Sequence, residues 1–184
     1  MKDLTNTAIS RQNILNNKFA VAEIQKVVGI KGVLFENELK FLKRQIADFF
    51  DVTERTITIC LTKNKEELTK NGYEVLTGNR LIDFKLVSSK NFGREIDFPT
   101  KSTILGIFNF RAFLNIAMLL SDSNKARELR SLILDIVIDT INTRTGGSTK
   151  YINQRDEDYV VYRTRSRFVQ VEHPVRDEIL VENG

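Results

Sequence analysis

The sequence predicts an α+β fold in which two short hairpins flank a tight pair of helices and a second helical pair closes the domain. Three observations carry this expectation. Apolar residues recur at helical spacing from Lys43 to Leu61 on either side of Asp51, extended runs lie before and after that segment, and helical periodicity returns from Phe110 to about Thr143.

The elements follow in chain order. Residues 1–15 are polar, with Asn and Thr prominent, and are expected to form a loose arm. Phe19, Ala20, Val21, Ile24, Val27 and Val28 then predict a short amphipathic helix around Asn17–Val28, stopped by Gly29 and Gly32. Gly32–Phe41 reads as two extended runs about the turn Glu36-Asn37-Glu38, and a helical region, Lys43–Leu68, follows. A second hairpin is expected from Tyr73–Leu76 and Leu81–Val87, joined by Thr77-Gly78-Asn79-Arg80, where Gly and Asn can supply positive φ. Lys90–Lys101 is a polar connection holding Gly93 and Pro99.

The longest apolar stretch, Ile104–Leu120, is broken by Asn109, Arg111 and Asn115, which predicts a buried helix and not a membrane span. Asn109 can cap Phe110–Leu120, and Ser121 or Ser123 can cap a last helix ended by Gly146-Gly147. On that helix Ala126, Leu129, Ile133, Ile136 and Val137 form one apolar stripe. Tyr151–Gly184 is charge-rich with few periodic apolar positions. The expected organisation is therefore an N-terminal arm and short helix over 1–30, a main domain over 31–147, and a charged extension or linker over 148–184.

Composition bounds the class of function. The chain of 184 residues is 41% apolar and 28% charged, a globular balance, and its 12 Phe against 4 Tyr and no Trp predict a core of Phe, Ile, Leu and Val. Cys60 is the only cysteine, which excludes an intramolecular disulfide and fits a reducing compartment. Lys2 and Asp3 lead into polar sequence and not into the apolar run of a signal peptide, so a cytoplasmic protein is expected. The net charge of +4 is uneven: residues 1–150 hold 23 Lys/Arg against 17 Asp/Glu, or +6, and residues 151–184 hold 5 against 7, or −2. A basic body favours polyanions, because phosphate contacts supply most non-specific affinity.

Residues 43–61 have the spacing of a helix-turn-helix. Ala47 is the small residue where the second helix crosses the first, Ile46, Phe50, Val52, Ile57 and Cys60 occupy the buried places, and Asp51 stands where Gly is commonest. Asp tolerates the left-handed conformation that the turn demands, and Thr53 can cap the second helix with Thr56 three residues on. In this register Thr53, Glu54, Arg55, Thr58 and Ile59 project from the half of the second helix that enters a major groove. Arg55 suits guanine O6 and N7, and Thr58 or Ile59 suits a thymine methyl. Lys43, Arg44, Lys63 and Lys65 flank the unit as phosphate contacts. The hairpin that follows reads as a wing, with Asn79, Arg80 and Lys85 toward the backbone, so the predicted architecture is winged helix-turn-helix-like. The competing reading is an amphipathic helical hairpin that only fills a core.

The order of elements resembles RhuM-like proteins and the Bro-type and KilA-N-type domains of phage antirepressors. The resemblance rests on Gly32–Phe41, Lys43–Leu61 and Phe108–Gly147, above all on Ser123-Asn124-Lys125-Ala126-Arg127-Glu128-Leu129-Arg130. It implies a DNA-binding regulator of phage, mobile-element or toxin–antitoxin character. The segment Lys150–Tyr159 is similar to the linker that leads, in some relatives, into a Fic domain. His173-Pro174-Val175-Arg176-Asp177-Glu178 begins like the Fic signature, but its Gly-Asn-Gly-Arg part is missing, so no Fic catalysis is implied.

Enzyme chemistry finds little support. One His and one Cys cannot make a four-ligand Cys/His zinc site, and neither phosphate-binding glycine motif is present. Cys60 falls on a buried helical face, which favours a structural thiol over a nucleophile. Asp156-Glu157-Asp158 reads as a solvated charge run and His173 as a tail residue; Arg163-Thr164-Arg165-Ser166-Arg167 suits either phosphates or a basic turn. No cofactor or metal is expected. The expected partner is double-stranded DNA, with a homodimer or a partner protein engaging residues 126–141 and no membrane. Two alternatives stand beside DNA binding: a protein-interaction or oligomerisation module, and the non-catalytic N-terminal part of a larger Fic-type protein.

Overall fold

The computed structural model describes residues 5–92, 102–145, 159–164 and 167–172. The expectations for residues 1–4, for Gly93 and Pro99, and for Gly146-Gly147 lie outside the described residues, as do those for 148–158 and for His173–Glu178. The chain divides into two compact units between Ser131 and Leu132. The fold is α+β, with eight helices and a four-stranded antiparallel sheet among the described residues.

The first unit opens with α1 (Ala8–Asn16) and α2 (Lys18–Val27). The arm expected over residues 1–15 is therefore largely helical. One of its polar residues, Thr7, is a cap, its Oγ1 accepting from the Ser10 amide at 3.1 Å, and Ile14 and Leu15 are buried. A hairpin follows, β1 (Val33–Phe35) and β2 (Glu38–Leu42), in the register Val33 to Lys40 and Phe35 to Glu38. Its two turn residues, Glu36 (φ 50) and Asn37 (φ 63), are both left-handed, as a two-residue turn matching the right-handed strand twist requires.

Three helices come next, α3 (Lys43–Phe50), α4 (Glu54–Lys63) and α5 (Lys65–Lys70), and then β3 (Tyr73–Thr77). The second hairpin expected over Tyr73–Val87 does not form. Residues 78–92 are instead one helix, α6 (Gly78–Phe92). Ile82, Phe84 and Leu86 alternate with Asp83 and Lys85, which imitates a strand. The buried positions, however, are Leu81, Phe84 and Ser88, a helical stripe, while Ile82 and Leu86 are exposed. Gly78, at φ 55, makes the abrupt passage from β3 into α6.

The partner of β3 is β4 (Ile104–Asn109), the start of the stretch read above as a buried helix. Asn109 ends this strand and caps α7 (Phe110–Leu119), its Oδ1 accepting from the Ala112 amide at 3.0 Å. Ser123 likewise caps α8 (Asn124–Thr145).

The sheet order is β1-β2-β4-β3, all antiparallel. Because side chains alternate across a strand, the register separates two faces. One holds Val33, Phe35, Leu42, Leu76 and Ile107 and is covered by Leu81 and Phe84 of α6, with the Phe35 and Phe84 rings edge to face at 5.2 Å. The other holds the paired Phe41 and Phe108 and meets α7, where Phe113 lies 5.7 Å from Phe41 and stacks on Phe50 of α3 at 5.2 Å. Every residue from Ala112 to Met118 is buried, which makes α7 the central helix of this layer.

The second unit comprises the rest of α8 and an antiparallel pair, β5 (Tyr159–Thr164) and β6 (Arg167–Glu172), paired from Tyr159 with Glu172 to Thr164 with Arg167. The charged stretch after Tyr151, read as an extension, thus contains regular strands. Val160, Val169 and Val171 supply β-branched residues that the charge density obscured.

Candidate nucleic-acid interface

Helices α3 and α4 are joined by Asp51, Val52 and Thr53. Asp51 adopts φ 54 and ψ 47, the left-handed conformation. Its amide donates to the Asp48 carbonyl at 3.3 Å and that of Val52 to Ala47 at 3.0 Å, which closes α3 in a Schellman motif. Thr53 Oγ1 then accepts from the Thr56 amide at 3.2 Å and caps α4. Ile46, Ala47, Phe50, Ile57 and Cys60 are buried, and Val52 is half-buried. The turn thus meets the expected register at every buried position except Val52, which is only half-buried.

The opposite surface of α4 is open. Thr53, Glu54, Arg55, Thr58 and Ile59 are all exposed, Ile59 by 45%. Glu54 lies 3.4 Å from Lys43, tying the start of α4 to the start of α3; with both side chains near half exposure the pair adds little to stability. The Thr58 hydroxyl donates to the Glu54 carbonyl at 2.9 Å, so its methyl group is the surface that remains for a partner. Arg44, Arg55, Lys63 and Lys65 are exposed, and their side chains hold no ion pair or hydrogen bond among the described residues.

Beside α4 runs a groove of about 510 Å³ between Lys43, Arg44, Glu54, Thr58 and Leu61 on one wall and Tyr73, Ile104, Gly106 and Phe108 on the other. Gly106 makes room for Tyr73, whose hydroxyl would stand 2.8 Å from a Cβ at that position. Sequence reasoning missed this second wall because it placed no strand at Ile104–Asn109.

Asn79 and Arg80 do not join this set. Both belong to the first turn of α6, on the sheet face opposite to Tyr73 and Phe108, because the expected wing is a helix. Arg80 is also occupied: its Nε and Nη2 grip Glu36 at 2.9 and 2.6 Å and its Nη1 reaches Glu74 at 3.1 Å. Lys40, buried beside them, donates to Glu38 at 2.9 Å and Glu74 at 3.0 Å. Burial pulls the Lys40 ammonium down, but the two carboxylates outweigh it and hold it above its ordinary range. Burial pushes Glu74 up, and Lys40 and Arg80 together bring it below the usual carboxylate range. This network ties β1, β2, β3 and α6 together. Lys85, the other residue expected on the wing, donates to the Ser102 carbonyl at 2.9 Å.

Cys60 is buried, and burial, reinforced by Glu67, pushes its thiol up to about 11, so it stays protonated and a poor nucleophile. Among the described residues no group of three His, Cys, Asp or Glu could hold a metal ion, and no helix is long and apolar enough to cross a membrane. Compared with protein-family models, curated proteins and solved structures, the chain matches none.

Proposed function

We propose that the first unit binds double-stranded DNA through a helix-turn-helix, with α4 as the recognition helix, in a transcriptional regulator of phage, mobile-element or toxin–antitoxin type. The observation that carries this reading is the exposed first half of α4, where Thr53, Arg55, Thr58 and Ile59 face outward while the one carboxylate, Glu54, is answered by Lys43. The uncommitted Arg44, Lys63 and Lys65 lie around it as phosphate contacts. The helix-turn-helix is proposed without the wing, since Tyr73–Val87 makes no hairpin. The resemblance to RhuM-like and antirepressor domains now rests on the segments Gly32–Phe41, Lys43–Leu61 and Phe108–Gly147 and not on a second hairpin, and it favours a regulator over an enzyme.

The reading as an assembly module through residues 126–141 is less favoured. Ala126, Leu129, Ile133 and Val137 are buried, Ile136 is half-buried and Ile141 is half exposed, so that stripe offers a partner less apolar surface than the sequence suggests. A homodimer on two half-sites about 10 bp apart remains part of the proposal, with sedimentation of the free protein and of its DNA complex as the check.

The decisive experiment selects genomic fragments with the purified chain and then titrates the enriched site by fluorescence anisotropy. Arg55→Ala should weaken the selected site by about 1–3 kcal/mol and random duplex much less. Equal losses on both would reduce Arg55 to a phosphate contact, and absence of duplex binding at low salt would refute the proposal.

A further inference from the structure

Away from α4, a cavity of about 330 Å³ opens where the turn before α1 meets the link from α7 to α8. Its lining includes Arg11, Arg127 and Arg130, with Asn6 and Ser121 beside them and Met118, Leu119 and Leu120 along one wall. No carboxylate is among the described lining residues. Asp122, which accepts from the Ser121 hydroxyl at 3.0 Å, stands outside it.

The three guanidiniums differ in what they have left to give. Arg11 is buried and fixed: its Nε and Nη2 each lie 2.7 Å from Glu67, and its Nη1 donates to the Thr5 carbonyl at 2.8 Å. The hydrogen bond to Glu67 holds its guanidinium above its ordinary value, and its charge is neutralised by that partner. Arg130 spends Nη1 on the carbonyls of Ala117, at 2.9 Å, and Leu120, closing the C-terminus of α7, while its Nε and Nη2 hold no bond among the described residues. Arg127 is exposed, with its whole side chain uncommitted among the described residues. Two positive charges with free donors thus face a concave space whose described lining offers no counter-charge, and Arg11 and Arg130 are held in place by bonds that do not depend on a ligand.

We propose that this cavity binds a small phosphorylated organic molecule. Guanidinium forks match the paired oxygens of a phosphate, and two unanswered cations suit a dianion better than a monoanion. A space of about 330 Å³ exceeds a phosphate group alone and leaves the aliphatic wall of Met118, Leu119 and Leu120 for the organic part. The proposal does not depend on DNA binding by α4.

The test uses the full chain in chloride-free buffer with ionic strength held constant by acetate. Inorganic pyrophosphate is titrated calorimetrically into wild type, Arg127→Ala and Arg127→Lys. Melting without ligand confirms that the variants fold. Saturable binding is expected at one site per chain, weakened at least about tenfold by Arg127→Ala and less by Arg127→Lys. Absence of saturable binding, or binding indifferent to Arg127→Ala, overturns the proposal. A phosphate could also come from the DNA backbone, so duplex affinity is measured on the same variants. A small-molecule site leaves it within about twofold after Arg127→Ala, whereas a loss as large as that for pyrophosphate, with mutual displacement, overturns the small-ligand assignment.

Discussion

Replacing Ala47 by Leu tests the register on which the α4 surface depends. Ala47 is 2% exposed on α3, its carbonyl receives the Val52 amide that closes the turn, and α3 packs against α4. A leucine adds three carbons where the two helices approach each other, and overpacking of that kind costs about 1–3 kcal/mol. With an unfolding entropy typical of a unit bounded by Ser131, each kcal/mol moves the midpoint by about 3.6 °C, so the loss in Tm is about 4–11 °C. The displacement of α4 should also carry Arg55 and Thr58 off their positions and weaken duplex binding in protein that is still folded. Asp51→Gly is the matching control. Its φ of 54 suits glycine without a Cβ penalty, offset in part by the freer unfolded chain, so stability should stay level or rise slightly with duplex affinity intact. Both variants are followed by thermal melting and anisotropy at one salt concentration. If Ala47→Leu melts and binds like wild type, Ala47 does not lie at a tight crossing, and the assignment of Thr53, Glu54, Arg55, Thr58 and Ile59 to one functional face falls with it.

Three further outcomes concern Asn115, Glu74 and Cys60. Asn115 is fully buried on α7, and neither its Oδ1 nor its Nδ2 has a partner among the described residues, so Asn115→Leu should raise stability by about 1–2 kcal/mol in urea unfolding. Glu74 is held below the ordinary carboxylate range by Lys40 and Arg80, so its contribution is complete above that range and disappears as pH falls through its lowered value; Glu74→Gln should lower Tm at neutral pH and flatten its fall in acid. Cys60, with a thiol at about 11, should react with a disulfide reagent at pH 8 far more slowly when folded than in urea, and equal rates would contradict its burial.

What was legible in the sequence was local. The turn at Asp51, the caps at Thr53, Asn109 and Ser123, and the Glu36-Asn37 hairpin each depend on a few neighbouring residues whose preferences agree with the fold. The misreadings share a different cause. Leu81–Val87 satisfies strand and helix periodicity equally, and the decision belongs to the sheet face that Leu81 and Phe84 cover. Ile104–Asn109 merges with the apolar α7, so its strand character becomes visible only through pairing with β2 on one side and β3 on the other. The groove beside α4 inherits that difficulty, because half of its wall is β3 and β4. Arg80 shows the same limit for charge: nothing near it announces Glu36, 44 positions away, and an arginine that looked free for phosphate is held by two carboxylates.

The sheet explains why these two roles of charge separate. On the α6 side, Lys40 and Arg80 are matched by Glu36, Glu38 and Glu74, so the cations there fasten strands and helix and offer a polyanion little. On the α4 side, the cations Arg44, Arg55, Lys63 and Lys65 are left without acidic partners among the described residues. The same segment carries the exposed carboxylates Asp48, Asp51 and Glu66, so its charges are mixed, but these four cations are not tied into a network as Lys40 and Arg80 are. Lys43, by contrast, is answered by Glu54. This difference in pairing is the observation on which the proposed duplex-binding surface rests.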